Sequence, residues 1–263
     1  MVGGRWLVDD RIAAHGMRRP RGIFVAGTDT GVGKTAVACA LAAWCRREKL
    51  DVGVMKPVAT GGRRLPQVGA GTWVSDDAVR LARAAGVDDP WTRINPVCFR
   101  EPLAPWTAAI RKGSVIRMDR LLRAFRWLAA RHECLIVEGI GGLLVPLTGR
   151  IMMADLAKRM RLPLLLVARP GLGTLNHTLL SLACARRLKL PFLGVVIVHS
   201  RPRPRHPMAR VAERTNPDVL RRFTRLLGVL PFQPEVLSRG EEGHLAEWIQ
   251  RHLGRQILRR LVG

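Results

Sequence analysis

Acidic residues are scarce in this chain of 263 residues: 20 aspartates and glutamates stand against 44 lysines and arginines, a formal charge of +24. Lysine is scarcer still, at six, so arginine supplies 38 of the cations. A field of this sign attracts nucleic acid and anionic membranes. Aromatic residues make up only 5% and are not interleaved with the arginines, which excludes a base-stacking platform. The arginines run along the whole chain, densest at RPRPRHP (201–207) and RRFTR (221–225). They read as a compositional bias on a solvated surface, with polyanion binding as the alternative.

Long apolar runs are also missing. None approaches the roughly 18 residues that a membrane helix needs. The opening MVGGRWLVDDRIAAHGMRRPR has no continuous apolar stretch and carries Asp9 and Asp10, which argues against a signal or transit peptide. The five cysteines show no C-x-x-C pair. An odd, scattered set reads as reduced, mostly buried thiols of a cytoplasmic protein.

What is present is a repeating order of short apolar runs and helical patterns. GIFVAG (22–27), DVGVMKP (51–57), ECLIVEG (133–139), PLLLVA (163–168), FLGVVIVH (192–199) and LLGVLP (226–231) read as strands. The long ones do not alternate, so both faces are expected to be buried. Between them KTAVACALAAWCRRE (34–48), SDDAVRLARAAG (75–86) and MDRLLRAFRWLAARH (118–132) have helical spacing. In the last of these, Leu121, Leu122, Phe125, Leu128 and Ala129 share one face, and Arg117, Arg120, Arg123 and Arg126 another, read as a solvated stripe. Strands alternating with helices predict an α/β fold, a doubly wound, mainly parallel sheet with helices on both faces, of the P-loop nucleotide-hydrolase type if the loop after its first strand binds phosphate. With 48% hydrophobic residues and no linker or repeat, residues 21–263 are expected to form one domain, preceded by a basic extension over 1–20, expected to be flexible.

In such sheets ligands bind beyond the carboxyl ends of the strands. After the first strand stands GTDTGVGKT (27–35). The usual phosphate-loop spelling, G-x-x-x-x-G-K-[ST], wants glycine at Thr28, and the glycine sits one place earlier at Gly27. The rest fits: Gly31 and Gly33 relieve the backbone, Val32 lies between them, and a helix opens at Lys34 with its positive end toward an anion. Lys34 would reach the β- and γ-phosphates, and Thr35, followed by Ala36, would place its hydroxyl on Mg2+. A glycine-rich turn without a ligand is the alternative. Glu138 ends a buried strand, where a bare carboxylate is costly. A cation beside it would offset that cost, and a salt bridge to an arginine is the alternative.

The words GTDTGVGKT, KPVATG (56–61), SDDA (75–78), EGIGGLLVPLT (138–148), ARPGLGTLNHTLL (168–180) and ERTNPDV (213–219), in this order, resemble the dethiobiotin synthetase family over about residues 22–232. That family's phosphate loop also carries threonine where glycine is usual. The resemblance implies an ATP- and Mg2+-dependent cyclo-ligase that joins 7,8-diaminopelargonate and CO2 (or bicarbonate) into dethiobiotin, with ADP and phosphate as the other products. It implies Lys56 as the active-site lysine, with Lys34 and Thr30 beside the reacting groups. Thr35, Asp77 and Glu138 become metal ligands, Asp77 being preferred to its neighbour Asp76. Gly139, Ile140 and Gly141 approach the nucleotide. Thr60 contacts the diamine, and Gly173, Thr174 and Asn176 hold the substrate's carboxylate tail across a homodimer with shared sites; capping and packing is the alternative for Asn176 and His177. Val198, followed by His199, stands where the family has an asparagine that reads adenine. Pro231, Phe232 and Gln233 match its other base-contacting turn. The departure at Val198 predicts loose nucleotide choice. The competing reading is a DNA-partitioning ATPase of the same fold; the charge favours it, and KPVATG and GLGTLNH, which such an ATPase does not need, stand against it.

Overall fold

A computed structural model describes residues 21–65, 72–202, 204–236 and 242–262. The expected extension over 1–20 lies outside them. In chain order come β1 (Gly22–Gly27), α1 (Lys34–Arg47), β2 (Val52–Met55), β3 (Val58–Ala59), β4 (Arg63–Arg64), β5 (Trp73–Val74), α2 (Asp76–Ala85) and α3 (Trp91–Ile94). There follow β6 (Val97–Cys98), α4 (Pro105–Arg111), α5 (Met118–Ala129), β7 (Cys134–Gly142), α6 (Met153–Met160) and β8 (Leu164–Ala168). The last third holds α7 (Thr174–Arg187), β9 (Phe192–Val198), α8 (Pro207–Arg221), β10 (Leu226–Leu230), α9 (Glu242–Leu253) and α10 (Arg255–Val262).

The six expected strands form one sheet in the order β10-β9-β8-β1-β7-β2. Every pairing in it is parallel. β1 is central. The chain fills one side first, with β2 and β7, and then crosses to the other for β8, β9 and β10. That reversal opens the crevice beyond the carboxyl end of β1.

The runs without alternation are buried on both faces because each face has its own layer of helices. Ile23 and Val25 of β1 join the core under α1, α2, α9 and α10. Phe24 and Ala26 join the core under α4, α5, α6, α7 and α8. α5 follows its sequence pattern: Leu121, Ala124, Phe125 and Leu128 are buried. Arg117, Arg120, Arg123 and Arg126 are exposed, and Arg117 and Arg123 both pair with Asp119. Leu128 is fully buried, so Leu128→Ala would cost about 2–5 kcal/mol through the cavity left behind. The five cysteines are free thiols; Cys39, Cys45 and Cys134 are buried, Cys98 and Cys184 half-buried.

Local chemistry sets the element ends that matter for the site. Ser75 caps α2, its Oγ accepting from the Ala78 N–H at 3.2 Å, and Gly86 ends that helix at φ 69°. β7 runs past Glu138 through the glycines to Gly142, which pairs with Gly27 of β1. This brings GTDTGVGKT and EGIGGLLVPLT side by side.

Candidate functional site

The turn after β1 explains the odd spelling. Thr28 is not among the residues of positive φ, so its position does not call for glycine. Gly27 does: a Cβ there would meet Lys34 Nζ at 2.8 Å and the Asp29 carbonyl oxygen at 2.7 Å. The Lys34 side chain folds back into that space and donates to the Asp29 carbonyl at 2.8 Å. Gly33 has φ 99°, and a Cβ there would sit 2.7 Å from Val198 Cγ1. The loop therefore rests directly on the end of β9. Val32 is buried beneath it, and the Thr30 N–H is tied to Asp29 Oδ1 at 2.7 Å. Burial, and then the charge of Lys56, lower the Lys34 ammonium to a pKa of about 8.

Beyond the loop, four side chains from four segments converge. Thr35 of α1 has its Oγ1 2.8 Å from Glu138 Oε1 and 3.0 Å from Asp77 Oδ1. Lys56, just after β2, has its Nζ 2.6 Å from Glu138 Oε1 and 2.8 Å from Asp77 Oδ2. Lys56 is 2% exposed and Glu138 0%. Burial alone would drive the Lys56 ammonium down, but Glu138 and Asp77 outweigh it and hold its pKa above the ordinary lysine value. Burial would raise Asp77, but Lys56 and Thr35 hold it low. Glu138 is pushed up by burial, with Lys56 pulling back. Glu138 is thus paired with a lysine, not an arginine. Asp76 points elsewhere, to Arg63 at 2.6 Å, and is exposed.

The donor set suits a hard dication. A hydroxyl owns one proton, yet Thr35 Oγ1 sits within hydrogen-bonding reach of two carboxylates. Glu138 Oε2 is buried without any partner. Two carboxylates and a hydroxyl around one point are the protein ligands that Mg2+ takes when phosphate and water complete its shell.

A cavity of about 350 Å³ opens over these groups. Of the expected residues it is lined by Thr30, Gly31, Gly33, Lys34, Thr35, Ala36, Lys56, Asp77, Glu138, Ile140 and Gly141. Two further lining residues, Arg80 and Ser200, were not foreseen. Arg80 lies one helical turn beyond Asp77, a spacing that could have found it. Ser200 follows β9 and donates from Oγ to the Gly31 carbonyl at 3.0 Å, bracing the loop.

Other expected residues lie outside that cavity. Gly139 is in β7, where a Cβ would meet Phe24 at 3.1 Å. Val198 is fully buried under Gly33, so its side chain faces the underside of the loop. His199 lies with Nδ1 3.6 Å from Glu213 Oε2. Pro231, Phe232 and Gln233 follow β10 and are half-buried, the Pro231 carbonyl accepting from Trp248 Nε1 at 3.3 Å. Thr60 follows β3, a two-residue strand paired with β6 that the sequence reading did not foresee.

Gly173, φ 87°, starts α7 with no side-chain cap; Thr174 is buried and Asn176 exposed on its first turn. Asn216 of α8 braces the turn before it, donating to the Pro170 carbonyl at 2.9 Å and the Gly171 carbonyl at 3.3 Å. Thr174 Oγ1, His177 Nδ1 and Thr178 Oγ1 are buried and unpartnered. Leu172, Leu180 and Leu144 are 86%, 62% and 66% exposed.

A family model described as an AAA domain matches residues 21–239. The ATP-dependent dethiobiotin synthetase of Anaeromyxobacter dehalogenans (strain 2CP-C) is 44% identical over 223 residues, 83% of this chain and 93% of that protein. That of Bacillus licheniformis is 41% identical over 218 residues, 80% and 86% of the two chains. Among solved structures, a putative plasmid partition protein from Borrelia burgdorferi B31 bound to AMPPNP superposes with a TM-score of 0.53 over 92% of this chain and 98% of that one. At 13% identity this likeness speaks for the fold alone. Sequence identity over most of both chains carries the assignment: the protein belongs to the family of ATP-dependent dethiobiotin synthetases.

Proposed function

We propose that the protein is a ligase that uses ATP and Mg2+ to close a urea ring on 7,8-diaminopelargonate with CO2, giving dethiobiotin for biotin synthesis. The observation that carries this reading is the convergence of Thr35, Lys56, Asp77 and Glu138 on one cavity beside Lys34, in a chain of this family. One substrate amine takes up CO2 and loses a proton to become a carbamate. A carbamate oxygen attacks the γ-phosphorus of ATP, and the bond to ADP breaks. The second amine attacks the carbonyl carbon of the mixed anhydride, loses a proton, and phosphate departs.

Two anions must meet in the second step, so catalysis is positioning and positive charge. Lys34 leaves the Asp29 carbonyl for the β- and γ-phosphate oxygens. Lys56 turns its ammonium from Glu138 toward the γ-phosphate and the carbamate. Thr30 hydrogen-bonds the carbamate, and Thr60 orients the diamine. Thr35, Asp77 and Glu138 hold Mg2+, which supplies charge neutralisation to the triphosphate. Gly139, Ile140 and Gly141 approach the nucleotide by their backbone, as Pro231, Phe232 and Gln233 do at its base, beside His199 and the floor made by Val198.

Gly173, Thr174 and Asn176 receive the substrate's carboxylate from a second copy, which makes the working form a homodimer. Support comes from Leu172 and Leu180, exposed just before α7 and on it. Among the described residues no helix is long and apolar enough to cross a membrane, in keeping with a cytoplasmic enzyme.

The test is mass spectrometry of product made by the purified protein from diaminopelargonate, bicarbonate, ATP and Mg2+. Dethiobiotin that needs all four components is expected. No product from a folded, ATP-binding protein overturns the reading, and ATP turnover stimulated by duplex DNA would then put the partitioning class in its place.

A further inference from the structure

Lys56 and Asp77 lie on different segments, and a side chain outside the cavity joins them. Asn95, 5% exposed, follows α3. Its Nδ2 donates to the Lys56 carbonyl at 2.8 Å and to the Val97 carbonyl at 3.3 Å. Its Oδ1 accepts from the Ser75 N–H at 3.0 Å and from Ser75 Oγ at 3.2 Å. Ser75 Oγ in turn accepts from the Ala78 N–H as the cap of α2, whose first turn carries Asp77. The sense of every bond is consistent, because a hydroxyl donates once and also accepts. The neighbouring Ile94 carbonyl takes the Lys56 N–H at 2.7 Å.

Resting on the reading above, we propose that Asn95 is a positioning residue: through Ser75 it fixes where Asp77 stands relative to Lys56. Two carbonyls on one side and two donors on the other require an amide. An aspartate has no donors for the carbonyls, a serine has one, and a glutamine is a methylene too long. The direct ion pair between Lys56 and Asp77 cannot do this work during turnover, since both groups then turn to phosphate, carbamate and metal. The route through Asn95 uses only atoms with no ligand to serve, so it survives when that pair loosens.

The test uses the full-length protein with Asn95→Leu, similar in shape and without hydrogen bonds, and Ser75→Ala, which keeps the backbone donor. Two quantities are read: kcat for dethiobiotin, and the gain in ATP affinity that Mg2+ gives over EDTA, by calorimetry. Groups that orient metal ligands typically cost about 10–100-fold when removed. Asn95→Leu is expected to lose that much in kcat and in the Mg2+-dependent gain, with ATP affinity in EDTA within about twofold of the parent. Ser75→Ala is expected to lose about 3–10-fold in both.

A merely structural role would lower thermal stability and leave the Mg2+-dependent gain intact; that result in folded Asn95→Leu overturns the proposal. If that variant does not fold, an unchanged gain in Ser75→Ala overturns it. A parent protein that makes no dethiobiotin while Asn95→Leu still loses the gain would refute the ligase reading and sustain the role of Asn95.

Discussion

Two helices of this molecule begin the same way and end up in opposite conditions. α1 and α7 each follow a strand of the central sheet, β1 and β8, and each starts after a glycine with positive φ, Gly33 and Gly173. At α1 the chain partners its cations and its hydroxyl: Lys34 with the Asp29 carbonyl, Lys56 with two carboxylates, Thr35 between the same two, with Glu138 Oε2 and Thr28 Oγ1 left over. At α7 three buried polar atoms find no partner, and Leu172 and Leu180 lie in the open. The first site is preorganised by its own side chains, the arrangement that electrostatic catalysis needs. The second leaves two leucines in water, a face that the proposed second copy would cover.

The contrast can be broken most severely at Lys56. Lys56→Met is expected to lower kcat by about 10²–10³-fold or more, the range for removing a preorganised donor. Nucleotide binding should persist, measured with a fluorescent analogue; near-parental turnover would take Lys56 out of the chemistry. Glu138→Gln keeps the shape and removes the charge. Activity and apparent Mg2+ affinity should fall together by roughly 100-fold, and an unmoved metal titration would deny Glu138 its place as a ligand.

The α7 side responds more gently. Asn216→Leu frees the turn before α7 from two hydrogen bonds. At about 1 kcal/mol each, this should raise KM for diaminopelargonate by up to roughly thirtyfold. KM for ATP should hold, so a change confined to ATP would assign the brace to the wrong site. The smallest effect concerns the base. With Val198 packed under Gly33 rather than facing a nucleotide, kcat/KM for GTP and CTP should lie within about tenfold of that for ATP. Strong discrimination would locate base recognition in the turn after β10.

The strands were readable because buried parallel strands leave an unbroken apolar run. The phosphate loop was readable because its glycines answer to geometry: Gly27 yields to Lys34, and Gly33 to Val198. The roles that escaped are those that depend on distant segments meeting. Asn95 is an ordinary asparagine before a proline until Lys56 and Ser75 are seen on either side of it. Gly53 is another case: a Cβ there would strike His132 Cδ2 at 2.4 Å, and that ring is held between Asp51 and Asp89. β3 and β6 are two residues each, below any pattern length. α9 and α10 lie beyond the residues that the family model matches.

α9 has a consequence in time. Eleven of the fourteen residues of α1 are buried, and part of that cover comes from the far end of the chain. Trp44 Nε1 donates to Gln250 Oε1 across 206 positions of sequence, and Trp248 closes on the Pro231 carbonyl. During synthesis the ribosome releases every word of the nucleotide site well before this clasp. Until it arrives, the helix behind the phosphate loop has one flank in water, and loop closure of that span is slow. A nascent chain stopped after Gln233 would carry the whole set of motifs on an unfinished support, so maturation of the site waits for α9 and α10 to emerge.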